Sequence, residues 1–173
     1  MLGKCSRYLA CGVLGVLALL VATWIADELR FAWGQPSDQK VNYSGKWSSD
    51  TYPLINGRIL AEIPYPLPKE KTFKVQATVY YSVTSPYRLG QFIPMEMDAF
   101  VESSGSTAGG NTDKPVILAP KITFTFKSGG GAPGAQTIDY VSTSDKLFVQ
   151  IAGGYRSSSP YDIGTFTLNK TTP

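Results

Sequence analysis

Phe73-Lys-Val-Gln-Ala-Thr-Val-Tyr-Tyr-Ser-Val83 is the stretch on which the fold turns. Phe73, Val75, Ala77, Val79, Tyr81 and Val83 fall on one side of an extended chain, and Lys74, Gln76, Thr78, Tyr80 and Ser82 on the other. Alternation with a period of two describes a strand with one face on a core and one in water. The same alternation recurs on both sides of it. Ile55, Ile59, Ala61 and Ile63 alternate with Asn56, Arg58 and Glu62, and Ile93, Met95, Met97, Ala99 and Val101 with Glu96, Asp98 and Glu102. Val116, Leu118, Ile122, Phe124 and Phe126 follow the rule against Lys121, Thr123, Thr125 and Lys127. Shorter runs at 44–50, 136–142, 146–156 and 163–169 bring the expected strands to eight.

Turn-forming residues separate these runs: Tyr65-Pro-Leu-Pro68, Ser85-Pro-Tyr87, the Ser/Gly segment 103–111, the Gly-rich segment 128–134 and Ser157-Ser-Ser-Pro160. The glycine-rich pieces join strand to strand and lack the helix N-terminus that a phosphate cradle requires, so they are hairpin loops. The expectation is an all-β domain, an eight-stranded antiparallel meander closed into a barrel in preference to a sandwich, since closure removes exposed edges.

Two hairpins echo one another. Gly45-Lys-Trp47-Ser-Ser49 is followed by Gly57, and Gly153-Gly-Tyr155-Arg-Ser157 by Gly164. Each reads as an aromatic that packs a barrel end, with a glycine permitting close approach on the next strand. If the sheet closes, the first and last hairpins are neighbours.

Ahead of the strands, Tyr8 to Ala26 runs for 19 residues without a charge. As a helix it measures about 28 Å, close to the hydrocarbon thickness of a bilayer. Leu9, Val13, Val16, Leu19, Val21 and Trp24 are its expected lipid contacts. Lys4 and Arg7 precede it while Asp27 and Glu28 follow, which sets the N-terminus in the cytoplasm and the body on the far side of the cell membrane, periplasmic in a Gram-negative cell. A cleaved signal would need a small residue three positions before its cut, where Trp24 stands. A lipoprotein signal would place its apolar region before Cys11, not after it. A retained single-pass signal anchor fits better than either. The expected organisation is a cytoplasmic N-terminus at 1–7, a membrane helix at 8–26, a juxtamembrane linker at 27–42 broken by Gly34 and Pro36, and a β domain at 43–173.

Composition narrows the chemistry. The 173 residues include no histidine, and both cysteines, Cys5 and Cys11, belong to the anchor region. Histidine-dependent nucleophiles and metal sites are therefore excluded, as is any disulfide in the body. Glu96, Asp98 and Glu102 project alike from one strand, the wrong arrangement for a pair of acids acting on opposite sides of a bond, and a common feature of a solvated face. Of 16 Lys and Arg, Lys4 and Arg7 precede the anchor, so the body is close to neutral against 13 Asp and Glu and carries no nucleic-acid footprint. No enzyme, cofactor or metal is expected.

The Ser44-Gly45-Lys46-Trp47-Ser48-Ser49 stretch resembles the Gly-x-Trp first strand of the calycin group, the lipocalins and avidins. That resemblance implies an up-and-down barrel with Trp47 plugging one end and an apolar cavity. Trp47 is the only tryptophan of the body, so the additional tryptophans of an avidin biotin pocket have no counterpart, and a lipocalin disulfide is impossible.

Two functions follow as expectations. One is a non-enzymatic accessory or scaffolding subunit whose helix, with small residues at Ala10, Gly12, Gly15, Ala18 and Ala22, packs in a larger membrane complex. Its interface would draw on Phe31, Trp33, Tyr52, Tyr65, Tyr87 and Tyr161, since aromatics with a polar tip favour interfaces. The alternative is a membrane-tethered barrel binding a small apolar ligand, its cavity lined by Phe73, Val79, Tyr81, Met97, Phe124 and Phe126, with Val75 and Met95 beside them.

Overall fold

The computed structural model describes residues 2–37, 40–65, 68, 71–86, 88–102, 121–127, 137–144 and 148–171. One helix, α1 (Leu2–Gly34), precedes eight strands: β1 (Tyr43–Ser49), β2 (Asn56–Glu62), β3 (Thr72–Tyr81), β4 (Phe92–Glu102), β5 (Lys121–Lys127), β6 (Thr137–Ser144), β7 (Gln150–Ser158) and β8 (Tyr161–Lys170). Each strand pairs antiparallel with the next, and β8 returns to β1 with Trp47 opposite Phe166, closing the barrel. Every expected strand is present, with ends displaced by a few residues. Val116 and Leu118 lie outside the described residues.

The period-two pattern sets the interior. Val75, Ala77 and Val79 of β3, Met95, Met97 and Ala99 of β4, Ile122 and Phe124 of β5, and Phe166 and Leu168 of β8 all point inward and are buried. Tyr43 closes the end at which β1 begins, its hydroxyl donating to the Phe148 carbonyl at 2.7 Å. At the same end the Asn42 side chain donates to the Ile63 carbonyl and accepts from the Ile63 amide, as a neighbouring strand would. Serines also face inward on β6, and Ser142 satisfies its hydroxyl on the Ile122 carbonyl at 2.8 Å.

The paired glycines of the echo have a geometric reason. Gly57 lies opposite Trp47, and Gly164 opposite Tyr155. A Cβ at Gly57 would collide with the Tyr80 carbonyl and the Trp47 indole nitrogen; one at Gly164 would strike the Tyr155 ring and the Ser48 carbonyl. Each aromatic lies across the space left by its partner's missing side chain. The Trp47 indole thereby reaches over β2 to donate to the Tyr80 carbonyl at 3.1 Å.

The helix takes in Phe31 and Trp33, the aromatics that could continue it beyond the membrane span. It does not end at Ala26 but runs unbroken through the first half of the segment assigned to a linker, stopping at Gly34 before Pro36. Its last two turns dock on the outer wall of the barrel. Asp27 accepts from the Tyr80 hydroxyl at 2.7 Å and from the Val83 amide at 2.8 Å. Glu28 pairs with Arg58, whose guanidinium also sits 4.2 Å over the Phe31 ring. Phe31 packs on Tyr80 and Phe92 with ring centroids 5.2 and 6.0 Å away. Arg30 donates to the Gly90 carbonyl at 3.0 Å. Asp27, Glu28, Phe31 and Gly34 form one stripe of the helix, and Tyr80, which points out of the barrel by strand alternation, is fully buried near that stripe. Farther up, the side chains of Gly12 to Ala22 are exposed, and Gly12–Gly34 is long and apolar enough to cross a membrane.

Candidate ligand cavity

The barrel is filled at one end and hollow at the other. Where Ile59, Val75, Met97, Phe124, Phe166 and Leu168 meet, the free space is only about 10 Å³. Toward the hairpins β1–β2, β3–β4 and β7–β8 it opens into a cavity of about 230 Å³. Its walls are Trp47, Val79, Met95, Ile138, Tyr140 and Tyr155, and its mouth is formed by Tyr52, Tyr81, Arg88, Pro160 and Asp162. A cavity of roughly 150 Å³ holds a benzene-sized molecule, so this one accommodates about ten non-hydrogen atoms.

The rings form a continuous lining. Trp47 meets Tyr81 edge-on at 4.9 Å and Tyr155 at 6.0 Å, and Tyr140 contacts Tyr155 at 5.8 Å and Phe166 at 5.3 Å. Offset and edge-to-face contacts of this kind hold each ring in place.

Two kinds of tyrosine hydroxyl coexist in this lining. The Tyr155 hydroxyl donates to Asp162 at 2.9 Å, and Ser49 donates to the other Asp162 oxygen at 2.6 Å while accepting from the Tyr52 amide. That network rivets β1, β7 and β8 at the mouth. The hydroxyls of Tyr140 and Tyr81, by contrast, have no hydrogen-bond partner among the described residues. Tyr140 is only 7% exposed and lines the cavity. Burial pushes the Tyr140 phenol well above its ordinary range, with Tyr81 adding to the shift, so both remain neutral donors. Arg88 lies over the Tyr81 ring at 5.5 Å and makes no ion pair among the described residues. Two phenolic donors and one cation therefore converge on an otherwise aromatic and aliphatic chamber, the composition expected of a small-molecule site.

The expected lining residues divide. Val79, Tyr81 and Met95 face the cavity, whereas Val75, Met97 and Phe124 belong to the filled half. Phe73 is half-buried against the core, and Phe126 occupies a β5 position whose side chain lies outside the described residues. Tyr155 was marked by the echo as an aromatic packing a barrel end, whereas Tyr140 and Ile138 were not singled out from the sequence; their strand is short and polar on average, and only the closure of the barrel brings them near Trp47.

The aromatics expected at an interface divide too. Phe31 is spent on the barrel wall of its own chain, and Tyr52 lines the cavity mouth. Trp33 is 82% exposed, Tyr161 is exposed, and Tyr65 carries Lys170 over its ring at 3.3 Å. Tyr87 lies outside the described residues. On the helix, Val13, Val16, Leu19, Val21 and Trp24 are exposed as lipid contacts require, and the Leu9 side chain lies outside the description. Asp98 and Glu96 both bind Lys74, at 2.8 and 3.3 Å, with Gln76 also donating to Glu96. This is a solvated pairing on the outer wall.

In comparison with known proteins, the chain matches no protein family, no curated protein and no solved structure; its closed eight-stranded antiparallel barrel is compatible with a calycin-like barrel.

Proposed function

We propose that this chain is a non-enzymatic, membrane-anchored barrel that holds one small amphiphilic molecule in the cavity beside Trp47. The cargo is a flat apolar group of about ten non-hydrogen atoms bearing hydrogen-bond acceptors. The observation that carries the reading is an aromatic chamber of about 230 Å³, open at one end, that is lined by Tyr140, whose hydroxyl bonds to no described residue. A ligand with an acceptor there would gain a hydrogen bond. In this reading α1 is a retained single-pass anchor, its N-terminus cytoplasmic by the charge asymmetry of its flanks.

The test is a titration of the full chain in lipid nanodiscs with 1,4-naphthoquinone, followed by quenching of Trp47 in a Trp24→Phe/Trp33→Phe background. Saturable quenching is expected, and its loss when Val79→Phe fills part of the chamber without adding a second tryptophan. Unsaturable quenching that is the same in both variants counts against the proposal.

A second reading is an accessory subunit of a larger membrane complex. It draws on Phe100 and Val141, which are exposed on the outer wall in one cross-strand row through Thr123, remote from the docked helix. Gentle extraction should then yield a stoichiometric assembly; recovery of the lone chain speaks against it.

A further inference from the structure

The helix docks at a particular end of the barrel. Asp27 grips Val83 in the β3–β4 connection, Arg30 grips Gly90 in the same connection, and Phe31 and Gly34 lie against Phe92, where β4 begins. Moving along α1 from residue 27 to residue 34, the contacts move from the tip of this hairpin onto the barrel wall. The exposed apolar part of α1 therefore leaves the barrel at the end where the cavity opens. After Gly34 the chain runs to the opposite end, where Asn42 is bound to Ile63.

The two ends also differ in chemistry. At the open end, the connections 50–55, 82–91 and 158–161 contain only two charged residues, Asp50 and Arg88. Their tips instead expose Leu54 (65%), Leu89 (62%) and Tyr161 (56%), with Pro53, Pro86 and Pro160 beside them. At the opposite end Glu62 closes β2 and Lys71 stands just before β3. Exposed leucine and tyrosine on loops with at most one charge each, next to the exit point of an apolar helix, match the apolar and interfacial layers of a bilayer.

We infer that the open end of the barrel rests on the membrane from which α1 emerges, its three hairpin tips entering the lipid, and that the cavity is loaded from the bilayer by a membrane-borne amphiphile. The occupant of this rim is lipid, because the helix that crosses lipid is held to that rim by Asp27, Arg30 and Phe31. The small chamber then receives the ring or head of its cargo while a longer tail stays in the hydrocarbon. The loading step rests on the ligand reading above; the docking step does not.

The experiment separates the two. In the full chain carrying Cys5→Ser and Cys11→Ser, spin labels are attached at Leu89→Cys or Tyr65→Cys and the protein is placed in phosphatidylcholine vesicles. The Leu89 label should relax more with oxygen than with a water-soluble nickel chelate, and the Tyr65 label the reverse. Water-like behaviour at both positions, or shielding of the Leu89 label from both reagents, overturns docking. For loading, a quinone with a long isoprenoid tail is supplied in the vesicles. Leu54→Glu/Leu89→Glu should slow quenching of Trp47 about tenfold, through the cost of placing carboxylates in the interface, and leave binding of water-soluble 1,4-naphthoquinone unchanged. Equal loading rates overturn bilayer entry. Failure of 1,4-naphthoquinone to bind the parent chain removes the ligand reading and with it the loading step, and leaves the spin-label result standing.

Discussion

Replacing Tyr140 by phenylalanine should make the empty protein more stable and the loaded protein a weaker binder. The ring of Tyr140 keeps Tyr155 and Phe166 in place, and phenylalanine preserves that packing. Only the hydroxyl is lost. It donates to no group among the described residues but lines a cavity of about 230 Å³ that water can enter, so its loss relieves only part of the ~1–3 kcal/mol that a fully buried unpartnered polar atom costs. A gain of about 1 kcal/mol follows, which for a chain of 173 residues raises the melting temperature by about 2–4 °C. In the loaded protein the same change deletes one neutral hydrogen bond, about 1 kcal/mol, and weakens Kd about fivefold. Tyr155→Phe is the control of opposite sign, because it strips Asp162 of a real donor and should destabilise. The assay is a thermal melt of the full chain in nanodiscs by near-ultraviolet circular dichroism, paired with the 1,4-naphthoquinone titration. A Tyr140→Phe protein that melts earlier and binds as before would refute the reasoning, since the hydroxyl would then be serving the fold and not a ligand.

Three further outcomes follow from the same geometry. Gly57→Ala sets a methyl against the Tyr80 carbonyl and the Trp47 indole; chemical denaturation should show a loss of about 1–3 kcal/mol from overpacking, with red-shifted Trp47 emission. Asp27→Ala orphans the Val83 amide and leaves the Tyr80 hydroxyl only the longer bond to the residue 27 carbonyl at 3.3 Å, whereas Asp27→Asn keeps an accepting oxygen. Hydrogen exchange at Val83 should therefore rise strongly in the first and little in the second. Burial holds the phenols of Tyr80, Tyr140 and Tyr155 above their ordinary range near 10, so they stay protonated in the folded barrel when the unfolded chain has lost those protons. Their contribution is complete below about pH 10 and is withdrawn as pH rises through and beyond it, by up to about 1.4 kcal/mol per pH unit for each group. A denaturation midpoint flat between pH 7 and pH 9 (outer points chosen about one and three units below the onset) that falls steeply above pH 10 is the expected profile, and one that holds level into strong alkali contradicts it.

The strands were legible because a barrel writes its inside and outside into alternate residues. Phe73 to Val83 needs no tertiary knowledge to be read as a half-buried strand, and the paired echo of Trp47 with Gly57 and Tyr155 with Gly164 marked a shared device whose two hairpins become neighbours once β8 pairs with β1. Where alternation was overridden, the sequence misled. Leu60, Thr78 and Tyr80 sit on the outward face, yet all are buried, with Tyr80 packed beneath Phe31 and bound to Asp27. Nothing in the local pattern says that Asp27, Glu28 and Phe31 will dock on that face. Their charge and aromatic content suits a membrane boundary just as well, and the pairing of Glu28 with Arg58 spans 30 positions.

The cavity was hidden for a related reason. Its position is set by side-chain size summed over layers of a closed sheet, which no single strand records. Ala61, Ala77 and Ala99 look like the small residues that would leave space, but they lie toward the end where Phe124, Phe166 and Leu168 fill the barrel. The hollow end has the larger rings, Trp47, Tyr81, Tyr140 and Tyr155, held apart by their edge-on and tilted contacts and by the Ser49–Asp162–Tyr155 bonds at the rim. Rings fixed as walls cannot also collapse into the space between them. The same hydrogen bonds that stiffen β1, β7 and β8 thus keep the mouth open, and the helix stripe through Asp27 and Phe31 fixes the remaining side at β3 and β4. An open aromatic chamber and a rigid link to a membrane-length helix are consequences of one arrangement, and severing the link at Asp27 should therefore disturb the Trp47 environment through its bond to Tyr80.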